Sequence, residues 1–404
     1  MIARLSVVWF LYLAAIGVFM PFYSLYLNEN AGLSGSRAGA VYALFPLVGM
    51  LAQPLWGQLA DRTGSRTRVL ACLTAGAGTG YLALAHCSGF VQLLLGTAGL
   101  ALFSTAVVPL CTSVSLGTLR DSGRHSFGIV RTFGTLGFFA TVVAFPRLLH
   151  HVQATHSLET TPGGPSEPGL EMMFLISAVL TAAAALAALA LPQRGAVALR
   201  AGRGDWRPLL RHGPFLRGLL FALLAYLFLH GPMMLFPIYV RAHGGTLDDV
   251  SSMWVLMLVI ETPLIALSGT LSARLGARGA LAMGVFCGGA RWLACSLVSD
   301  LNTIFWIQAL HGAVVAGLLV GGPLYIEATV PEALRSTGQG FLAMVSIGGG
   351  GFISILCSGV LIEHFGADAP YLIGGGGALA LVCLVPWLLP KPRRPGGVSS
   401  VLPL

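Results

Sequence analysis

The sequence predicts an all-α membrane protein of twelve transmembrane helices, arranged as two pseudo-symmetric halves of six helices each. Apolar residues make up 55% of the 404 residues and charged residues only 9%, whereas a soluble domain is about a quarter charged. Apolar runs of about 20 residues, enough to cross roughly 30 Å of hydrocarbon, recur along the whole chain. The pattern G-x-L-[AS]-x-R-x-G-x-R occurs at Gly57–Arg66 and again at Gly269–Arg278, each time between two apolar runs. Such a repeat, about half a chain apart, indicates two related halves.

Each apolar run predicts one span. The first run is too long for the core of a signal peptide and has no small-residue cleavage site, so we expect a retained helix. The runs leave no room for a separate soluble domain. In chain order the predicted spans cover residues 5–27, 37–59, 69–88, 90–117, 127–148, 170–191, 214–240, 251–272, 280–299, 303–328, 337–362 and 369–390.

The polar stretches between the runs predict how the chain is divided. Residues 192–213 are rich in Arg, Gly and Pro and have no apolar periodicity, which predicts a cytoplasmic linker. This linker separates an N-terminal half, residues 1–191, from a C-terminal half, residues 214–390. Residues 391–404 are rich in Pro and Gly, and we expect a disordered cytoplasmic tail.

The distribution of charge predicts the orientation in the membrane. Most of the 23 basic residues fall in segments that lie on one side if the N-terminus is cytoplasmic. By the positive-inside rule we expect both termini in the cytoplasm, in a bacterial inner (plasma) membrane. The net charge of +8 is then an orientation signal, and no nucleic-acid partner is expected. The opposite side collects acidic residues: Glu29, Glu159, Glu167, Asp248, Asp249, Asp300 and Asp368.

No motif indicates a cofactor, a metal site or an enzyme. The seven cysteines lie in or beside apolar runs and form no C-x-x-C pair, so they predict neither a disulfide framework nor a zinc site. The glycine runs 348–351 and 374–377 lie inside apolar spans and lack the Lys-Ser or Lys-Thr of a phosphate loop. An enzyme would need a metal-binding helix, an acidic pair or an exposed nucleophile turn, and the sequence offers none of these.

The polar loop at residues 57–68 resembles the signature of the major facilitator superfamily, which lies between the second and third helices of that family. The resemblance implies a gate that favours the outward-facing state. Its glycines would permit tight turns, its aspartate would accept from backbone N–H groups at a helix end, and its arginines would bind headgroups or an acid of the other half. The second copy has Ala273 in place of the acid, so we expect a weaker gate there. The residues assigned to the gate are Gly57, Asp61, Arg62, Gly64 and Arg68.

Further motifs resemble the sugar/proton symporter branch of this superfamily, especially its phenylpropionate-permease-like group. The similarity covers nearly the full length. In that branch the arginine at the position of Arg131 binds the substrate, and the aromatic residue at the position of Phe138 stacks on the substrate. The motifs are residues 19–27, 53–57 and 127–138, Glu261-Thr262-Pro263, and the pair Arg291 and His311, separated by 20 residues as in the sugar symporters.

Two departures from that branch bear on the substrate and the coupling ion. The sugar permeases place an acid on helix four, where this chain offers only Thr112, Ser113 and Ser115. They also place a proton-carrying acid three residues after the helix-ten histidine, where this chain has Val314. Lactose-type transport is therefore not expected, and any proton-carrying residue must be at another position of the sequence.

Four ionisable residues of the C-terminal half share one predicted depth. Glu261, Arg291, His311 and His230 all lie roughly 12–15 Å from the outer surface at 1.5 Å per residue. Since an ionisable group at mid-membrane costs about 3 kcal/mol or more, such groups usually face a cavity or a partner. We therefore predict a shared central site. In one hypothesis Glu261 carries the proton, and changes in its distance from Arg291 make it bind or release that proton, while the histidines bind substrate or relay the proton. In the other hypothesis, Glu261 and Arg291 form a static structural pair.

Arg131 and a set of aromatic residues predict the substrate site. The predicted spans put Arg131 only a turn from the inner surface, where it contacts substrate or lines the inner vestibule. Without an acid on helix four it leaves a positive cavity, which favours an anion. Tyr23, Tyr26, Phe19 and Phe138 are expected to form an aromatic wall, although each taken alone is more typical of ordinary helix packing. Arg147, Arg241 and Glu363 lie near the outer surface, and we expect them to be interfacial.

These features predict a secondary transporter that works by rocking two halves around a central site. The leading hypothesis is proton-coupled symport of a small organic solute, with an organic or aromatic acid favoured. The alternatives are a sugar or nucleoside symporter and a drug or metabolite exporter; a receptor-like or lipid-handling membrane protein is the alternative from another class. The expected partners are a small-molecule substrate, protons and membrane lipids, and the expected state is a monomer.

Overall fold

The structure, a computed structural model, describes residues 1–119, 126–157, 166–192 and 207–390. Within these ranges the secondary structure is helical and contains no strand. Most of the predicted linker and the whole predicted tail lie outside the described residues. The helices are α1 Ile2–Asn30, α2 Gly35–Thr63, α3 Arg66–Ala85, α4 Phe90–Thr118, α5 Ser126–Thr155, α6 Met172–Leu189, α7 Gly213–Met234, α8 Leu247–Ala266, α9 Ala273–Leu297, α10 Leu301–Thr329, α11 Arg335–Phe365 and α12 Ala369–Cys383.

The twelve-helix architecture predicted from the apolar runs is confirmed in the described part of the chain. Helices α1 to α11 are each long and apolar enough to cross a membrane, and α12 is a shorter apolar helix. Several helices extend beyond the predicted spans: α5 continues to Thr155, and α8 begins at Leu247. Hydropathy underestimates these ends because the last turns of a spanning helix carry polar residues at the membrane surface.

The two copies of the sequence repeat both have a positive φ at their second glycine, although ψ is 4° at Gly64 and 168° at Gly276. Gly64 ends α2 in the left-handed conformation, with φ of 63°, and Gly276 has φ of 67° at a break close to the start of α9. Only glycine adopts such angles without strain. The expected tight turn at Gly57 is wrong, because Gly57 lies inside α2. Its apolar neighbours continue the helix, and only the second glycine of the repeat is needed for the turn.

Irregular turns interrupt several helices of the C-terminal half close to its polar residues. Pro232 lies in α7 two residues after His230, and Pro263 lies in α8 two residues after Glu261. Helices α10 and α11 contain wide π-helical turns at Ala316–Val320 and Met344–Gly350. Proline and π-helical turns bend helices and redirect the side chains around them.

The two halves meet closely at one end, defined here as the acidic end because it carries Glu29, Glu167, Asp248 and Asp368. There α2 and α11 cross at glycines: a Cβ on Gly359 would lie 2.5 Å from the carbonyl oxygen of Gly35. Such contact requires the absence of side chains on both helices.

Ionic contacts join the halves at the same acidic end. The Arg241 guanidinium lies 3.2 Å from Glu29 and 2.5 Å from Glu167. The backbone N–H of Ser36 donates to the Glu363 carboxylate at 2.8 Å. Arg241 and Glu363 lie at this end, and each also contacts the other half of the protein, which the sequence did not indicate. The structure thus represents a state in which the acidic end is closed.

Helices α5 and α8 continue this seam towards the middle of the protein. The Ser251 hydroxyl of α8 donates to the carbonyl oxygen of Val142 in α5 at 2.7 Å. About one turn further from the acidic end along each helix, the rings of Phe138 and Trp254 pack with their centroids 5.9 Å apart. The seam leads from the closed end to the polar residues of the candidate site.

Candidate functional site

A chain of polar side chains joins helices α8, α10 and α9 in the interior of the C-terminal half. Nε2 of His311 lies 3.6 Å from the Glu261 carboxylate, and Nδ1 of the same ring lies 2.9 Å from Nη1 of Arg291. Gly312 permits this approach, because a Cβ there would lie only 3.0 Å from the backbone nitrogen of Glu261. The structure therefore brings together the three residues predicted for proton coupling.

The order of these residues differs from the predicted one. The sequence suggested a direct Glu261–Arg291 contact, but the His311 ring lies between the two side chains. Because an arginine only donates, Nδ1 of His311 must accept from it, and the N–H of a neutral imidazole is then at Nε2, which faces Glu261. Arg291 thus acts on Glu261 through the tautomer of His311.

Arg291 is a deeply buried cation that is held by neutral groups. Its side chain is 1% exposed. The Gln308 carbonyl oxygen accepts from Nε at 2.9 Å and from Nη2 at 2.5 Å. The sulfur of Met257 lies 3.4 Å from Nη2, and the Trp292 ring centroid lies 3.9 Å from the guanidinium carbon. Cation–π contact and amide hydrogen bonds replace the water that a buried cation loses.

Sequence analysis did not identify Gln308, although one signal was available. It is the polar residue one turn before His311 on the same face of α10, inside an apolar run. It is fully buried, and its amide N–H donates to the carbonyl oxygen of Ile304 at 2.8 Å. That bond fixes which way the amide faces, so the carbonyl oxygen is directed at Arg291.

Arg131 extends the polar chain to the N-terminal half. Its guanidinium lies 5.0 Å from the ring centroid of Trp9, and Nη1 donates to the Thr135 hydroxyl at 3.3 Å. It also interacts electrostatically with Glu261 across the seam between α5 and α8. Glu261 therefore lies next to His311 and is influenced by the charge of Arg131 in the other half, without an ion pair between the two.

A separate cavity of about 460 Å³ lies between α1, α2, α3 and α4 of one half and α7 and α11 of the other. Its walls are mainly apolar and include five aromatic and four methionine side chains, and its polar groups include Gln53 and His230. The structure thus places His230 at this cavity, with Gly351 and Tyr226 as its neighbours, apart from the polar chain. Equal depth in the membrane did not imply one site, because the helices present different faces.

The structure places the four residues predicted for the aromatic wall in different surroundings, and their role in substrate binding stays a prediction. Phe19 lines the cavity, but Tyr23 and Tyr26 do not. Tyr23 is fully buried, and its hydroxyl lies 2.5 Å from that of Thr97, while Tyr26 packs on Phe174 with the ring centroids 4.9 Å apart. Phe138 packs on Trp254 at the seam. The aromatic residues that actually line the cavity are Tyr12, Phe19, Tyr42, Phe45 and Tyr81.

The predicted gate lies at the end of the protein opposite the acidic end. Asp61 accepts from Nη2 and Nε of Arg66 at 2.7 and 3.1 Å, so its partner is a side chain of the next helix and not the expected backbone N–H groups. Arg62 and Gly64 are exposed beside it, and Arg68 belongs to α3. The Asp61–Arg66 contact of this loop lies within the N-terminal half.

Comparison with known proteins identifies similar chains of nearly the same length. The maltose permease of Geobacillus stearothermophilus is 29% identical over 394 residues, covering 96% of this chain and 94% of that protein. The probable 3-phenylpropionic acid transporter of Escherichia coli K12 is 26% identical, covering 90% and 91%. The crystal structure of the nucleoside transporter NupG has the same fold, with a TM-score of 0.80 at 17% identity over 96% and 99% of the two chains.

The protein is therefore a membrane transporter and not an enzyme. The sequence model of one family matches residues 2–373, nearly the whole chain. The chain belongs to the MFS_1 like family of the major facilitator superfamily.

Proposed function

We propose that the protein is a proton-coupled symporter of a small organic solute, with organic acids favoured, and that it works by alternating access. The observation that carries this proposal is the polar chain of Glu261, His311 and Arg291 in the C-terminal half, on which the charge of Arg131 in the N-terminal half acts. When the halves rock about the central site, this interaction must strengthen and weaken.

Glu261 is the proposed proton carrier. Its side chain is 24% exposed and lies 3.6 Å from Nε2 of His311, and the positive charge of Arg131 acts on it from the other half. As Arg131 moves away, an unpaired carboxylate in a membrane interior is costly, and uptake of a proton removes that cost. The relation between proton binding and the conformation of the halves then couples the proton to the solute.

The balance of charge supports an anionic solute. The polar chain contains two arginines and one carboxylate, which leaves one positive charge when His311 is neutral. An anionic group on the solute would compensate that charge, with Arg131 as the more accessible cation because Arg291 is fully buried. The similarity to the 3-phenylpropionic acid transporter agrees with this choice. A sugar symporter is the second candidate, since the maltose permease is also similar.

The orientation follows from the same proposal. We place both termini in the cytoplasm of a bacterial inner membrane, because basic residues surround the Asp61 loop and acidic residues surround Glu29. The described state, closed at the acidic end, is then closed towards the outside of the cell. The working unit is a monomer that binds membrane lipids at its basic end.

Transport by proteoliposomes with a trapped pH dye tests this proposal. We expect 3-phenylpropionate to enter with protons, and Glu261→Gln to abolish proton movement. The matched control is Glu332→Gln, which neutralises an exposed acid of the basic end. Solute uptake without proton movement, or proton-coupled uptake that persists in Glu261→Gln, would overturn the coupling. Proton-coupled entry of maltose instead would make the sugar symporter the correct function.

A further inference from the structure

We propose that the cavity between the halves is the binding site for a flat, apolar ring that carries a neutral hydrogen-bonding group, and that Gln53 and His230 recognise this group. The inference rests on the proposed transport of an organic solute and adds the site and the class of its ring. It concerns a region distinct from the polar chain of Glu261, His311 and Arg291.

The shape and the walls of the cavity fit a ring. Its volume of about 460 Å³ lies in the range of small-ligand sites, about 300–1,000 Å³. Phe19 is packed edge-on against Phe45 and Tyr81, with ring centroids 5.9 and 5.1 Å away. These contacts hold the rings in place, so they form a preformed apolar surface. Aromatic surfaces of this kind favour flat apolar partners.

Most hydroxyl groups of the cavity wall are already used inside the protein. The Tyr12 hydroxyl donates to the carbonyl oxygen of Ser104 at 2.7 Å, and that of Tyr42 donates to the carbonyl oxygen of Met20 at 3.3 Å. The Thr105 hydroxyl donates to the carbonyl oxygen of Ala101 within its own helix at 2.7 Å. These side chains therefore present mainly carbon atoms to a ligand.

Gln53 and His230 differ from these residues. Within the ranges that the structure describes, neither side chain has a hydrogen-bond partner; the hydroxyls of Tyr81 and Ser104 have none either, but both of these belong to the N-terminal half. Gln53 comes from α2 of the N-terminal half and His230 from α7 of the C-terminal half. A neutral imidazole offers one donor and one acceptor, and an amide offers both. A hydroxyl or amide on the ring would satisfy these groups and contact both halves at once.

The same count argues against a disaccharide in this cavity. A disaccharide would lose many hydrogen bonds to water, whereas the described part of the cavity wall offers four free polar side chains, Gln53, His230, Tyr81 and Ser104. Each buried hydroxyl without a partner is costly. The resemblance to the maltose permease therefore does not extend to the chemistry of this cavity.

Calorimetric titration of the purified protein tests the proposal with four probes: acetate, phenylacetate, 4-hydroxyphenylacetate and maltose. We expect phenylacetate to bind at least about tenfold more tightly than acetate, because the ring is buried. The ring hydroxyl should add about fivefold, the value of one net hydrogen bond. Maltose should not bind. Equal binding of acetate and phenylacetate, or binding of maltose, would overturn the proposal without any variant.

Variants then locate the ligand. Gln53→Leu should remove the advantage of 4-hydroxyphenylacetate and leave phenylacetate unchanged, whereas Phe45→Ala should weaken both about tenfold. The matched control is Phe286→Ala, a residue of α9 that is 53% exposed. An advantage of the hydroxyl that survives Gln53→Leu contradicts the assigned role. Ring binding without proton movement in proteoliposomes would refute the proton coupling but not this binding site. Proton-coupled uptake of solutes without a ring would refute this binding site but not the proton coupling.

Discussion

Replacing Gly359 with alanine should shift the protein away from the described state and towards one that is open at the acidic end. In the structure a Cβ at this position would lie 2.5 Å from the carbonyl oxygen of Gly35 and 3.0 Å from the Cα of Gly39. Both neighbours are backbone atoms of α2, which cannot rotate aside. The two helices must therefore separate for the methyl group to fit.

The size of the shift follows from the nature of the overlap. Forcing one methyl group into a close-packed contact costs about 1–3 kcal/mol. The cost applies only while the acidic end is closed, because α2 and α11 move apart when it opens. The ratio of closed to open molecules should then fall by roughly 5- to 150-fold.

Distance measurement between two spin labels provides the assay. One label is attached at Glu171 of the N-terminal half and the other at Phe365 of α11, both of which are exposed near the acidic end. The background lacks the accessible native cysteines, which are Cys72, Cys87, Cys287, Cys357 and Cys383. We expect Gly359→Ala to add a population at longer distance.

Gly376→Ala is the matched control. Gly376 is an exposed helical glycine of α12, and a methyl group added there would meet no atom within 4 Å. This variant should leave the distance distribution unchanged. If Gly359→Ala gives the same distribution as Gly376→Ala, the glycine contact does not control closure and the reasoning is wrong.

Three further predictions concern the buried polar groups and the ionic contact. Gln308→Leu removes two hydrogen bonds from buried Arg291, so the protein should lose about 1.5–3 kcal/mol of stability and its thermal unfolding midpoint should fall; an unchanged midpoint would show that these two bonds do not stabilise the fold. Tyr23→Phe should cost about 1 kcal/mol through its bond to Thr97 and leave the solute affinity unchanged, whereas a loss of affinity would restore Tyr23 to the substrate site. Arg241→Gln should lengthen the spin-label distance in the same direction as the glycine variant, and unaltered distances would exclude a role in closure.

Much of the site could be predicted from single residues in apolar runs. Glu261, Arg291 and His311 are visible because an ionisable group inside a spanning helix needs a partner, and the structure places them in contact. Their order could not be predicted, because the position of His311 between the other two depends on how closely α10 approaches α8 at Gly312. Gln308 is less conspicuous because an amide carries no charge.

The sequence by itself determined the membrane class, the number of helices and the division into halves, since hydropathy and a repeated motif depend only on the order of residues along the chain. The tertiary structure alone decided which faces of those helices meet. In the structure His230 lies apart from the polar chain, Tyr23 and Tyr26 pack inside the N-terminal half, and Arg241 contacts both halves. Helix rotation and crossing set these outcomes, and they depend on close packing between residues far apart in the sequence, which no local pattern records.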